Sequence, residues 1–290
     1  MYRQAGRGAV YERSERTRGR LKKAGIARSL TVARPMHSVG LMIGKPGAAT
    51  SHISQAYPDR VEVRGRDLTA ELMGRLSFTE HFHLLLTGEE ATEEQRFFLD
   101  LLLVAIAEHG MMPTNVAARM TLAADPGSLQ GAVAAGILGC GPVILGTSQE
   151  CARLLEEAHA GADPQQLMRA IHDAGGRAPG FGHPVHRPLD PRAERILELA
   201  DERGVSGPYV ALARTFRDAA ANVWGKPLTM NVSMPIAAVM LDLGFPAATV
   251  KAVPILARTA GLLAHLAEEQ GEPIGFRMAG AAEEAVEYER

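Results

Sequence analysis

Apolar residues spaced three and four apart, in runs closed by glycine or proline, dominate this 290-residue chain and leave little room for anything but helices. The first helical stretch opens at Asp67 and runs over 67–73. The next begins at Ser77, where Glu80 completes a capping box, and stops at Gly88. A longer one starts at Thr92, is apolar nearly all round in its middle, and is predicted to run buried to His109 before Gly110 ends it. Further helices are expected over 115–124, 128–138, 149–160, from Asp163-Pro164 to Gly175-Gly176, 192–203, 209–223 and 235–243. The last, 247–269, carries Pro254 and should kink there. Only Val61-Glu62-Val63-Arg64 alternates as a strand does, and 41–58 reads as loop. Aromatic residues make up 5% of the chain, while alanine, leucine and glycine are common, a mix suited to close helix packing. The expected class is all-α.

Charge divides the chain. Residues 1–35 carry ten Arg/Lys against two Glu, so with a net charge of −2 overall the rest is distinctly acidic. Residues 1–40 read as a basic N-terminal arm, and basic charge alone does not imply nucleic acid or membrane contact. Two cysteines, Cys140 and Cys151, give neither a disulfide framework nor a metal cluster, so no metal is expected and a reducing cytoplasm is the simplest location. No uninterrupted apolar run approaches the ~18 residues of a transmembrane helix. Residues 163–225, between two glycine breaks, are expected to form a small helical domain on a large one built from 41–162 and 226–290.

Three places hold candidate chemistry. Gly180-Phe181-Gly182-His183-Pro184-Val185-His186-Arg187 presents His183 from a turn, and Asp190-Pro191-Arg192 opens a helix whose first-turn N–H groups favour anions. Arg258 sits in an otherwise apolar helix, where burial is costly without an anionic partner, either a structural carboxylate or a ligand's. His109, at a helix end, is a cap or a ligand-binding group. The cysteines read as packing residues.

Gly180-Phe181-Gly182-His183 followed by Asp190-Pro191-Arg192 resembles the signature of the citrate synthase superfamily. Gly182-His183-Pro184-Val185-His186-Arg187-Pro188 is similar to its citryl-CoA lyase and ATP-citrate lyase C-terminal branch. Val63-Arg64-Gly65-Arg66-Asp67, Leu84-Leu85-Leu86-Thr87-Gly88-Glu89, Ala107-Glu108-His109-Gly110 and Ala257-Arg258-Thr259-Ala260-Gly261 fall in the family's order. The resemblance implies a citrate synthase fold, a homodimer, and a carboxylate and an acyl-CoA as small-molecule partners, with coenzyme A entering as part of the substrate. It implies that His109, His183, Arg192, Arg258 and Asn231 bind the carboxylate, that Arg187 lies near coenzyme A, and that Arg277 stands where the family has an arginine reaching across the dimer. No membrane or nucleic-acid partner is implied.

The same register shows two departures. The family's Gly-Pro-x-His-Gly-Gly-Ala segment reads here Gly141-Pro142-Val143-Ile144-Leu145-Gly146-Thr147, so Ile144 replaces the histidine that polarises the thioester. Asn231-Val232-Ser233 matches the family's Asn-Val-Asp, so Ser233 replaces the catalytic aspartate. Isoleucine cannot donate or move a proton, and an unactivated serine is a poor base. Three functions stay open: a lyase or synthase of carboxylated acyl-CoA using His183, Ser233 or their neighbours, an altered acyl-CoA chemistry such as thioester hydrolysis in a greasier pocket, and a non-catalytic citrate- or CoA-binding homologue.

Overall fold

The computed structural model of the chain describes residues 49–289, and the expected basic arm of 1–40 lies outside the described residues. Three short antiparallel strands come first: β1 (Ser54–Ala56), β2 (Val61–Val63) and β3 (Arg66–Asp67), in the order β1-β2-β3. β2 is the strand legible in sequence. β1 corrects the reading of 41–58 as loop, for it has no alternation of its own and forms by pairing Ser54 to Val63 and Ala56 to Val61. Asp67 then accepts from the N–H groups of Thr69 and Ala70 and caps a single wide π-type turn, Leu68–Leu72.

Eleven α-helices follow among the described residues. α1 (Phe78–Thr87) carries the predicted Ser77–Glu80 capping box and ends on Gly88 in the left-handed conformation. α2 (Glu93–Ala107) has a second box, Thr92 with Gln95. α2 is not buried all round: Phe98, Leu99, Leu102 and Ile106 form one buried stripe, while Val104 is 79% exposed. The helix buried on every side is α9 (Ser233–Asp242), whose residues Ser233 to Leu241 are all buried. α5 (Thr147–His159), α7 (Pro191–Glu202) and α8 (Pro208–Trp224) pack around it, and α6 (Pro164–Asp173) packs on α8. On another side, α10 (Ala252–Gly271) packs against α2 and against α3 (Pro113–Ala124) and α4 (Leu129–Leu138), and α11 (Gly275–Glu284) packs on α3. Ser51–Arg290 makes one compact unit.

The expected kink at Pro254 does not occur. A three-residue 3₁₀ turn, Ala247–Thr249, ends first, Lys251 becomes the cap, and Pro254 falls in the first turn of α10, where its missing N–H has no intrahelical role. The segment Ala247–Gly271 is long and apolar enough by composition to span a membrane. Its buried face nevertheless carries Arg258 and Glu269, and Glu269 pairs with the fully buried Arg119 of α3 at 2.9 Å. Both cysteines are free and buried, and burial pushes the Cys151 thiol up from its ordinary pKa, as suits packing residues rather than nucleophiles.

One long-range cap ties two of these helices together. The Asp242 carboxylate at the end of α9 accepts from the N–H groups of Gly207, Tyr209 and Val210 at 2.8–3.0 Å, covering donors that α8 leaves unsatisfied. Asp242→Ala is expected to lower unfolding stability by about 2 kcal/mol, measured by urea denaturation. A loss below about 0.5 kcal/mol would mean that water caps α8 as well as the carboxylate does.

Candidate active site

A cavity of about 150 Å³ opens where the 180–192 loop meets α2, α9, α10 and the α4–α5 loop. It gathers His109, His183, Arg192, Asn231, Ser233, Arg258 and Ile144, residues spread over 150 positions of sequence. Arg187 and Arg277 are exposed and are not among the residues lining it.

The loop holds its shape through glycine and the asparagine. Gly180 has φ +78°, and a Cβ there would meet Cys151 Sγ at 2.7 Å and Met234 Cβ at 2.9 Å. Asn231 donates from Nδ2 to the Gly182 carbonyl at 3.0 Å and accepts at Oδ1 from the Ser233 N–H at 3.0 Å. Its amide is therefore committed to bracing the loop against the start of α9, although it lines the cavity.

His183 is oriented by its own backbone. Its Nδ1 accepts from the N–H groups of Val185 at 3.1 Å and His186 at 2.8 Å, so the neutral ring carries its proton on Nε2. Arg192 NH2 stands 3.4 Å from that Nε2. Two donors thus face one space, and an acceptor is needed to reconcile them. Arg192 itself is fixed by Asp190, which is wholly buried, caps α7 and accepts from Nε at 3.0 Å and NH2 at 2.8 Å. Burial would push the Asp190 carboxyl up, but the bonds from Arg192 outweigh it and hold it below its usual range.

Arg258 answers the question its sequence context raised. It is 2% exposed and makes no ion pair among the described residues. NH1 donates to Asn115 Oδ1 at 2.8 Å, and its buried Nε has no partner. Burial lowers its pKa from the ordinary guanidinium value.

His109 does not cap α2. That helix ends two residues earlier, at Ala107, because Glu108 is extended, with φ −134° and ψ 145°. The Glu108 carboxylate accepts from the N–H groups of His109 and Gly110, and His109 turns to the cavity. Its Nε2 lies 3.1 Å from Nε2 of His186, and the His183 and His186 rings stack at 4.4 Å. Sequence spacing did not pair His186 with His109, since the two meet only through the loop. The ligand nitrogens of His109, His183 and His186 lie within 4.8 Å of one another. As a metal site the donor set fits poorly, because the two bonds to His183 Nδ1 leave its Nε2 protonated and without a lone pair, and Arg192 and Arg258 share the cavity. The arrangement suits an anion.

These features define a helical protein with a recessed pocket lined by cationic side chains. The chain belongs to the citrate synthase family: the profile for the citrate synthase C-terminal domain matches residues 42–277. The citrate/2-methylcitrate synthase of Bacillus subtilis is 29% identical over 208 residues, covering 70% of this chain and 55% of that protein. The citrate synthase-like protein oryE of Aspergillus oryzae is 30% identical over 221 residues, covering 72% and 49%. The chain thus spans about half the length of the curated relatives it matches. Citryl-CoA lyase from Hydrogenobacter thermophilus superposes with a TM-score of 0.75 at 29% identity, covering 83% of this chain and 94% of that one. ATP citrate lyase from Methanothrix soehngenii, solved with citrate and coenzyme A, shares the fold with a TM-score of 0.68 at 21% identity, over 79% of this chain and 40% of that one.

Burial first, and then the nearby Arg192 and His186 charges for His109 and the His186 charge for His183, lower both imidazole pKa values. A bound anion favours a charged His109 ring, whereas His183 keeps Nδ1 as a backbone acceptor, so citrate affinity is expected to rise between about pH 7.5 and about pH 6 with proton uptake at His109. Calorimetry in buffers of different ionisation enthalpy measures both, and pH-independent binding would contradict the placement. In the free protein the sign is opposite for stability. The depressed rings resist protonation while the unfolded chain accepts it, so their contribution falls as pH drops below the ordinary imidazole range.

Proposed function

We propose that this protein is a citryl-CoA lyase-like enzyme that makes or breaks a C–C bond alpha to the CoA thioester of a carboxylated substrate. The observation that carries this reading is the pair of facing donors, Arg192 NH2 and His183 Nε2, beside the unpartnered Nε of Arg258. Arg258 and Arg192 grip the carboxylates. His183 donates from Nε2 to the substrate's carbonyl or hydroxyl oxygen, and the His109–His186 pair holds the proton that leaves or returns there. Coenzyme A enters as part of the substrate, with Arg187 toward its phosphates and Arg277 toward a second subunit. The segment 163–225, which supplies His183 and Arg192, is taken as a small domain closing on 41–162 and 226–290.

Ile144 and Ser233 both line the cavity, which supports the register that puts them in place of the family's histidine and aspartate. General acid–base work contributes about 10²–10⁴ in rate and one oxyanion donor about 10²–10³, so turnover by the usual route should be very slow. That loss favours a second reading, a non-catalytic binder of citrate or coenzyme A that keeps the guanidinium groups and drops the proton carriers. Buried, free cysteines are in keeping with a cytoplasmic location. α4 leaves Leu138 87% exposed on a strongly apolar helix, which fits a homodimer.

Assays with citryl-CoA, with acetyl-CoA plus oxaloacetate, and with a panel of acyl-CoAs separate the readings. Release of a keto acid supports the lyase, thiol without C–C change indicates hydrolysis, and binding without turnover indicates the binder. His183→Ala and Arg258→Ala are each expected to weaken citrate binding at least about tenfold by calorimetry. Unchanged binding in both folded variants would end the assignment. The double variant Ile144→His, Ser233→Asp is expected to gain citrate-forming activity, and a folded protein with no gain would count against the register.

A further inference from the structure

One face of α10 carries Arg258, Gly261, His265 and Glu269, three or four residues apart. Arg258 lines the cavity, and Glu269 pairs with Arg119 of α3. Between them stands His265, whose side chain is 12% exposed and is not among the groups lining the cavity. Its tautomer is set from behind. Arg119 is fully buried, and its Nε and NH2 lie 3.0 and 2.8 Å from His265 Nδ1. A guanidinium can only donate, so Nδ1 accepts and the ring proton sits on Nε2. That proton meets Glu108 Oε2 at 2.9 Å. Gly261 lets α10 come this close, since a Cβ there would stand 2.2 Å from the Ala107 carbonyl oxygen and 3.1 Å from Glu108 Oε2.

The other oxygen of Glu108 accepts from the N–H groups of His109 at 2.8 Å and Gly110 at 2.6 Å, and from Asn115 Nδ2 at 3.2 Å. Asn115 is wholly buried, and its Oδ1 receives Arg258 NH1 at 2.8 Å. Asn115 Nδ2 and His265 Nε2 stand 2.8 Å apart, two donors crowded on one carboxylate. An ionised Glu108 reconciles them. Burial would raise its carboxyl, but the bonds from His265 and from the His109 N–H outweigh burial and hold it below the usual range. A ring with its proton on Nδ1 would instead set one more donor against Arg119 and leave Glu108 opposite a lone pair. Resting on the anion-binding reading above, we infer that His265 is a positioning residue, which holds Glu108 so that His109 and Arg258 face the same ligand. The cations of the cavity are then fixed by two separate routes. Arg192 is set by Asp190 at the start of its own helix, and Arg258 is set through Asn115, Glu108 and His265.

The test measures citrate affinity by calorimetry in the full chain. His265→Gln keeps an acceptor for Arg119 and a donor for Glu108 in one side chain, and it is expected to bind within about threefold of wild type. His265→Leu supplies neither and should weaken binding at least about tenfold. The route is read by combining His265→Leu with Arg258→Ala and, separately, with Arg192→Ala. Arg258→Ala is expected to cost at least about threefold less in the His265→Leu protein than in wild type, while Arg192→Ala costs the same in both. A protein merely loosened by the substitution would blunt both costs alike, and that result overturns the inference. So does a glutamine variant as weak as the leucine variant, or a leucine variant as tight as wild type. If thermal melts show that His265→Leu does not fold, Glu108→Ala, at a half-exposed side chain, takes its place in the same cycles with the same expectations. Wild-type protein that binds no citrate overturns the anion reading and this inference together, an outcome separate from the others.

Discussion

A guanidinium buried without a carboxylate organises this molecule. Arg258 is held by one amide oxygen and keeps an Nε that has no partner among the described residues, so no carboxylate there neutralises its charge. The surroundings hold that position without neutralising it. Arg119 is fully buried, pairs with Glu269 and donates to Nδ1 of His265, which leaves His265 to donate from Nε2 to Glu108 at 2.9 Å. Glu108 in turn fixes the backbone of His109 and accepts from Asn115, whose other end holds Arg258. The carboxylates of Glu108 and Glu269 act one layer behind the cavity, and of the two guanidinium groups lining it Arg192 is paired with Asp190 while Arg258 has no carboxylate partner among the described residues.

The helical frame was legible wherever its signals were local. Ser77 with Glu80 and Thr92 with Gln95 form boxes because the partners are three residues apart, and Gly88 ends α1 in the conformation glycine favours. The errors came where tertiary contact decides. Val104 is apolar and exposed, β1 exists only by pairing with β2, and Pro254 starts a helix because the chain turns just before it. α11 went unassigned because its alanine- and glycine-rich sequence has only Phe276 and Met278 as large apolar side chains, and it is fixed by packing on α3.

The site was legible in its residue types and not in its geometry. His109, His183, Arg192 and Arg258 could be picked as candidates because each is odd in its local setting, and they do converge. Their convergence came from the resemblance rather than from spacing. Nothing local reveals that His186 meets His109, that the Asn231 amide is committed to the loop, or that Leu145 is left-handed, since each depends on residues distant in sequence or on a backbone angle.

The opposed donors of Arg192 and His183 have a practical consequence for anyone handling the protein. A pocket that turns Arg192, Arg258 and the Nε2–H of His183 toward one space attracts whatever small anion the solution supplies. Phosphate, sulfate or a carboxylate buffer would therefore compete for the same space. An affinity measured in such a medium is an exchange constant between two anions, and chloride-poor, non-coordinating zwitterionic buffers are the ones in which the protein's own preference becomes visible.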